Sequence, residues 1–401
     1  MYPPCVLSYE EAEEKLAAWA RPLAPVRAPI EDALDRVLAE DVTAAGPLPP
    51  FDHSAMDGWA VRAEGVAPGV AIPIRGESRT GHEPAALEPG TAMRIFTGAP
   101  VPRGADAVIM QERATREGDR VTFEVAPRIG DNVRRAGEDA AAGAVVLRRG
   151  ALLGPAQLGL LASVDRADVL VHPAPRVVVL PTGDELRPPG SPARLGTIPE
   201  SNGLAIRGMA TRAGAIARVV RPAEDDLATV TAAIEDALAT SDVLLTIGGV
   251  SVGDHDVVKD ALERAGCSLD AWKVAIRPGK PIVFGRRGDT LILGLPGNPA
   301  SAMVTFGLFG VPVLRGMRGL SEWRARRRTA RLVGDVPSPK GRRPFLRATL
   351  DGDSVHCAPN QASGATTATA TSNALVTLPA DSPGARAGDL VEVVPFAEIG
   401  L

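Results

Sequence analysis

The chain has 401 residues, 45% of them apolar and 23% charged, which is enough for several domains that each bury a core. A formal net charge of -4 leaves no overall basic surface for nucleic acid or an anionic membrane, so any anion site has to be built from local charge. The cysteines, Cys5, Cys267 and Cys357, show no C-x-x-C or Cys/His spacing, which disfavours a zinc site or a disulfide framework and agrees with a reducing compartment.

The opening MYPPCVLSYEEAEEKL has no basic segment followed by an apolar core, and no apolar run approaches the roughly 20 residues that span a bilayer. No membrane association is therefore expected, and the protein is expected to stay in the cytoplasm. Ser8 ahead of apolar residues at helical spacing predicts an amphipathic helix over 10–20. IEDALDRVLAEDV predicts a second short helix running into a strand. From Gly46 to Gly143, β-branched runs such as MRIFTG, DAVIMQE and VTFEVA alternate with Gly and Pro breaks, the pattern of a compact β domain. A helix is expected over 151–164 in GALLGPAQLGLLASV. Then RVVVLPTGDEL, AIARVV, SDVLLTIGG, LDAWKVAI and TLILGLPGNP read as strands, with helical patterns between most of them. That alternation predicts right-handed βαβ units and a mostly parallel sheet. The basic run Arg324 to Arg328 reads as a solvated linker face in preference to a partner patch. The remainder predicts a small β domain.

Ligands collect where the strands of a parallel sheet end. Three glycine-bearing loops fall there: Thr182, Gly183, Asp184 and Glu185; Gly248, Gly249, Ser251, Gly253, Asp254 and Asp256; and Gly297, Asn298 and Ser301. Backbone N–H groups can cradle phosphate without a lysine, and carboxylates beside such a cradle make sense if Mg²⁺ bridges them to the ligand. One loop alone would read as a turn with an acidic helix cap; three together favour a ligand. WKVAIRPGKP supplies cations. Strand alternation puts Lys273, Ala275 and Arg277 on one face, and the Pro278–Gly279 turn aims Lys280 elsewhere. In the β domain, PPFDHSAMDGWAVR places Asp52, His53, Ser54 and Asp57 in one loop, and Thr97 precedes Gly98 at a strand end. His53 alone reads as a hydrogen-bonded structural residue. The residues by themselves lead to a multidomain α/β protein that binds a phosphorylated ligand and Mg²⁺.

In order along the chain, PPFDHSAMDGWAVR, IFTGAPVPRGADAVIMQE, RRAGED, PTGDEL, SNG, GGVSVGDHD, WKVAIRPGKP and LPGNPAS resemble the molybdopterin molybdenumtransferase family, which inserts molybdenum during molybdenum-cofactor synthesis and includes the E domain of gephyrin. The resemblance covers nearly the whole chain. It implies a central molybdopterin-binding α/β domain (1–20 and 175–325) and an inserted β-rich domain (44–144). A discontinuous linking domain (21–43 and 145–174) and a C-terminal small β barrel (326–401) complete the subunit. It further implies a homodimer with the cleft between subunits, where Asp57 and Thr97 of one subunit face the α/β domain of the other.

The implied reaction joins adenylylated molybdopterin and molybdate, with Mg²⁺, to give molybdenum cofactor and AMP. Contact with the adenylyltransferase of the same pathway is implied as well. Carried over by residue, Glu185 and Asp256 would serve the metal or pyrophosphate, and Asp226 or Asp225 the pterin end. Lys273, Arg277 and Lys280 would hold phosphate or molybdate. Thr182, Gly183, Gly248, Gly249, Ser251, Pro296, Gly297 and Asn298 would line the loops, while Arg343, Arg347 and Ser363 would reach the anionic cleft. His53, Trp59 and Arg277 stand where the family pattern has Asn, Tyr and Lys, and an arginine meets an oxyanion as a planar fork, not a point charge. QASGATTATATSNAL matches the pattern only loosely. Two other readings are the sister adenylyltransferase activity and a gephyrin-like dimeric scaffold.

Overall fold

The strands Arg176–Pro181, Val243–Ile247 and Thr290–Leu295 are buried on both faces, because each alternates its side chains between two separate cores. Val177, Val179, Val243 and Leu245 pack with Ile206, Met209 and Val304 on one side. Val178, Leu180, Leu244 and Ile292 pack with Val230, Ile234, Ala261 and Leu262 on the other. These positions belong to a computed structural model that describes residues 6–221, 225–249 and 257–401. The three strands are neighbours in a seven-stranded sheet ordered Val6–Leu7, Ser268–Val274, Pro281–Arg287, Thr290–Leu295, Val243–Ile247, Arg176–Pro181, Ile216–Val219. The last four strands in that order run parallel, and Pro281–Arg287 is antiparallel to both of its neighbours. The mostly parallel α/β sheet expected from the sequence is therefore present.

The first helix spans Tyr9–Ala17. The Ser8 hydroxyl accepts the Glu11 N–H while the Glu11 carboxylate accepts the Ser8 N–H, so two end donors are satisfied reciprocally. Tyr9, Ala12 and Leu16 form its buried face. The second helix expected in IEDALDRVLAEDV is absent as such: a single 3₁₀ turn, Ile30–Asp32, leads to short strands at Val37–Leu38 and Val42–Thr43. Asp35 sits at φ 59, and a non-glycine residue in that left-handed region ends a right-handed helix. The helix expected over 151–164 begins at Pro155, where the fixed φ of proline suits a first turn, and runs to Ser163.

Pro299–Met317 forms 19 residues of helix, apolar enough by composition to cross a membrane, although no run of that kind was expected. Its apolar window is 94% buried inside the protein, so it is a core helix. Gly316 lets it touch the N-terminal segment; a Cβ there would lie 2.4 Å from the Ala20 Cβ.

The inserted region carries its own six-stranded sheet, ordered Ala114–Glu117, Arg120–Phe123, Ala71–Ser78, Ala92–Ile95, Gly58–Val61, Ala107–Met110. Trp59, Val61, Ile109 and Phe123 fill one of its faces, and Ala60, Met93, Ile95 and Val108 the other. At the C-terminal end, Arg343–Asp351 pairs with both Ser354–Cys357 and Ala374–Thr377. With Arg328–Val333 and Leu390–Pro395 this closes a five-stranded barrel around Leu332, Ala348, Val355, Val376 and Val393. Closure removes the unpaired edges that an open sheet of this size would expose.

Two further expectations change. The segment 273–277 is not one strand: Ser268–Val274 ends in the α/β sheet, and Ile276–Arg277 pairs in parallel with Arg343 and Pro344 of the barrel. Ala275 is the crossing point, since its N–H donates to the Leu7 carbonyl and its own carbonyl accepts the Arg343 N–H. The alternation that put Lys273 and Arg277 on one face therefore does not hold. Nor is the Arg324–Arg328 run a purely solvated face. Arg327 is 26% exposed and pairs with Glu13 and Glu392, because it lies in the seam between the first helix and the barrel.

Candidate functional site

Thr182, Gly248 and Gly297 follow three adjacent parallel strands, and hydrogen bonds carry the strand register past the strand ends. The Thr182 N–H donates to the Ile247 carbonyl (3.1 Å), and the Gly248 N–H donates to the Leu295 carbonyl (3.1 Å). Gly248 adopts φ 94, and a Cβ on it would lie 3.0 Å from the Thr182 carbonyl oxygen. A side chain there would push two of the three loops apart. A Cβ on Gly297 would in turn reach the Gly248 Cα at 3.8 Å, and Asn202 Nδ2 donates to the Gly297 carbonyl at 2.7 Å. The structure thus brings together Thr182, Gly248, Pro296, Gly297 and Asn298. It adds Asn202, whose SNG string was recognised in the sequence without being given a role. Ser251 and Asp256, with Gly253 and Asp254, lie outside the described residues.

Beside these loops stands an acidic group. Gly183 has φ 142 and no side chain where the Glu185 carboxylate lies; a Cβ would sit 2.4 Å from its Oε2. The Asp225 N–H donates to Asp184 Oδ1 at 2.9 Å. Burial first, and then the negative charges of Asp184 and Glu185, push the Asp225 carboxyl above the ordinary aspartate range. Of the two aspartates left open in the sequence, Asp226 caps a helix: its Oδ2 accepts from the Thr229 N–H (2.9 Å) and hydroxyl (2.8 Å) at the start of the helix Leu227–Thr240. Only one of two adjacent aspartates can occupy the cap, and the other is left to face the acidic loop. Carboxylate oxygens are hard ligands of the kind Mg²⁺ takes, one or two at a time together with phosphate oxygens and water. Among the described residues no three His, Cys, Asp or Glu side chains converge on a single point.

A raised aspartate pKa has a testable sign. The stability associated with protonated Asp225 is present at low pH and is lost as pH rises through its folded pKa. Asp225→Asn should therefore be more stable than wild type in urea at pH 7, with the difference vanishing below the ordinary value of 3.8. Adding Mg²⁺ should narrow the gap at pH 7. An equal urea midpoint at both pH values would remove the acidic cluster as an electrostatic unit.

The positive counterpart is built across the barrel. Arg347 is fully buried; its Nη2 donates to the carbonyls of Asn360 (3.2 Å) and Ala362 (2.9 Å), while Nε and Nη1 have no hydrogen-bond partner among the described residues. Burial, and after it the positive charge of Arg277, lowers the Arg347 pKa, with no carboxylate among the influences on it. Arg277 and Lys280 are exposed and Lys273 is half-buried. The Ser363 carbonyl accepts the Ala300 N–H at 3.0 Å, which ties the Asn360–Gly364 loop to the start of the helix after Asn298. Arg343 is engaged within the subunit: its guanidinium is paired with Glu10 and Glu392 and donates to Thr377 Oγ1, which balances its charge.

In the inserted domain, Asp57 Oδ1 accepts both the Thr97 N–H and the Thr97 hydroxyl at 2.8 Å, and these bonds hold its carboxyl below the usual range. Gly58 keeps it in place: a Cβ there would lie 2.0 Å from the Ile109 carbonyl oxygen. Trp59 packs under Arg94, which also stacks on Phe96 and donates to the Gly58 carbonyl. His53 lies in a two-residue strand against Val133–Arg134, with Nδ1 3.3 Å from the Phe51 carbonyl, as befits a structural residue. No hydrogen bond among the described residues joins Asp57 or Thr97 to the strand-end loops.

A family profile described as "MoeA N-terminal region (domain I and II)" matches residues 7–164, one described as "Probable molybdopterin binding domain" matches 178–316, and one described as "MoeA C-terminal region (domain IV)" matches 329–396. Molybdopterin molybdenumtransferase 2 of Mycobacterium tuberculosis is 39% identical over 400 residues, covering 96% of this chain and 98% of that protein. Molybdopterin molybdenumtransferase of Haemophilus influenzae is 35% identical over 378 residues, covering 92% of this chain and 93% of that protein. The crystal structure of the molybdopterin biosynthesis MoeA protein of Pyrococcus horikoshii superposes with a TM-score of 0.85 at 32% identity, covering 98% of this chain and 99% of that one. With its ordered loops, inserted β domain and closed barrel all shared along nearly its full length, the chain belongs to the MoeA family of molybdopterin molybdenumtransferases.

Proposed function

We propose that the protein inserts molybdenum from molybdate into adenylylated molybdopterin, forming molybdenum cofactor and releasing AMP. The observation that carries this reading is the buried Arg347 guanidinium with two donors unmet, influenced by the charge of Arg277 and tied through its loop to the strand-end loops. A buried cation that lacks both a carboxylate and full hydrogen bonding is costly unless an anion completes it. Molybdate, a tetrahedral oxyanion, matches that need, with Lys273, Lys280 and Ser363 as further contacts. The names of the relatives support the coarser part of this reading, the transfer of molybdenum to molybdopterin.

The loops Thr182–Glu185, Gly248–Gly249 and Pro296–Asn298 would receive the pyrophosphate and pterin, with Asn202 fixing the third loop and Asp225, not Asp226, facing the ligand. Glu185 and Asp256 would hold Mg²⁺, which draws charge from the pyrophosphate when bound. A homodimer is part of the proposal. Asp57 Oδ2 accepts no hydrogen bond among the described residues, and the exposed Phe51 and Met56 of the same loop make a surface a second copy could cover. Asp57 and Thr97 would then face the partner's loops. We place the reaction in the cytoplasm, with substrate received from the adenylyltransferase of the same pathway.

The test is AMP release from adenylylated molybdopterin with Mg²⁺, with and without molybdate. Molybdate-dependent release is expected. Adenylylation of free molybdopterin from ATP, with no AMP release from the adenylylated form, would establish the sister activity instead.

A further inference from the structure

Arg277, the exposed cation of the oxyanion site, is not held by the sheet of its own domain. Ile276–Arg277 is an extra strand on the barrel, and the residues just before it are paired with the N-terminal strand: Val6 opposite Lys273 and Leu7 opposite Val274. The segment that carries Lys273 and Arg277 is therefore clamped from two sides at Ala275, by the Leu7 carbonyl at 2.8 Å and the Arg343 N–H at 2.7 Å. Immediately after Leu7, Tyr9 and Glu10 turn onto the barrel. Tyr9 is 3% exposed, lies against Phe345 and Phe309, and has the guanidinium groups of both Arg343 and Arg327 over its ring, at 5.3 and 5.1 Å. The Arg343 fork reaches Glu10 on the helix and Glu392 on the barrel, the latter at 2.6 Å, and Arg327 reaches the same Glu392 at 3.1 Å and Glu13 at 3.6 Å.

We infer that Arg343 is a positioning residue: with Tyr9, Glu10 and Glu392 it clasps the N-terminal helix to the barrel and so sets where Arg277 stands relative to Arg347. The inference rests on the oxyanion reading of Arg277 and Arg347. The clasp needs a planar fork that can bond two carboxylates while stacking on a ring, and a lysine ammonium cannot do both. Its effect falls on the oxyanion because the clamped strand carries Lys273 and Arg277, whereas the strand-end loops are ordered by the parallel sheet. Misplacement of a binding group by about 1 Å can cost a hundredfold, so a partial loosening should be visible.

The experiment compares full-length wild type, Arg343→Lys, Glu10→Gln and Arg347→Lys by titration with inorganic molybdate and by steady-state AMP release. Glu10 has a side chain 60% exposed, so its variant is expected to fold even if Arg343→Lys does not. For Arg343→Lys we expect about a tenfold rise in the Kd and KM for molybdate, with KM for adenylylated molybdopterin and kcat within about twofold of wild type. Glu10→Gln should shift the same two constants in the same direction by a smaller factor. Unchanged molybdate affinity in both variants, or an equal loss for both substrates, overturns the inference. If wild type binds no molybdate, the oxyanion reading itself fails; if only Arg347→Lys loses binding, that reading stands and the clasp does not.

Discussion

Arg347→Met will lower molybdate-dependent AMP release by about 10²- to 10³-fold, the loss typical of removing a preorganised donor to an anion, while leaving the folded state close to wild-type stability. Two opposing terms explain why stability should hardly move. Methionine leaves the carbonyls of Asn360 and Ala362 without the Nη2 donor, at roughly 1 kcal/mol per lost hydrogen bond. It also removes a fully buried charge that has, among the described residues, no carboxylate partner and two unmet donors, and replacing such a charge by an apolar side chain of similar length is often neutral or stabilising. Loss of turnover in a protein with an unchanged urea midpoint would identify Arg347 as a binding group. Loss of both together would show that it only holds the Asn360–Gly364 loop, and the oxyanion assignment would fall.

Glu185→Gln should be nearly as damaging by a different route. The carboxylate occupies the space that Gly183 leaves open, and glutamine has the same shape, so the loop should keep its path. What changes is charge. A neutral amide is a weaker ligand for a hard divalent cation, and the pyrophosphate would lose the charge neutralisation its cleavage needs. AMP release is expected to fall by about 10²-fold or more, with a higher Mg²⁺ requirement and unaltered molybdate binding. A variant with normal AMP release at low Mg²⁺ would move the metal away from the PTGDEL loop. Paired with Arg347→Met, the two variants should separate the proposed sites: one is expected to lose the oxyanion and the other the metal.

Much of the site was legible because parallel sheets make it so. Once RVVVLPTGDEL, SDVLLTIGG and TLILGLPGNP are read as strands, Thr182, Gly248 and Gly297 have to emerge at the same end, and the structure adds only that the three strands are neighbours. The glycines were readable too, as places where backbone and side chain come close. The Asp225 and Asp226 pair was not readable. Both precede a helical pattern by a plausible capping distance, and the choice depends on where the helix begins, which its packing decides. Arg343 and Arg347 share a strand and a nominal face, yet at about 3.3 Å per residue they stand roughly 13 Å apart and meet different neighbours. One meets Tyr9, Glu10 and Glu392; the other meets the Asn360–Gly364 loop and the field of Arg277.

Most kinds of element, the three strand-end loops, the β-rich insertion and the family were legible in the residues alone, because these follow from local periodicity, from glycine placement and from ordered strings; the helix expected in IEDALDRVLAEDV is an exception. Long-range packing settled that residues 273–277 divide between two sheets, that the 19-residue apolar helix is core, that Asp226 is a cap, and that Arg343 is paired while Arg347 keeps open donors among the described residues. Each of those outcomes depends on which distant backbone or charge stands opposite a residue. Such pairings are set by how separate elements pack, and local pattern carries no record of them.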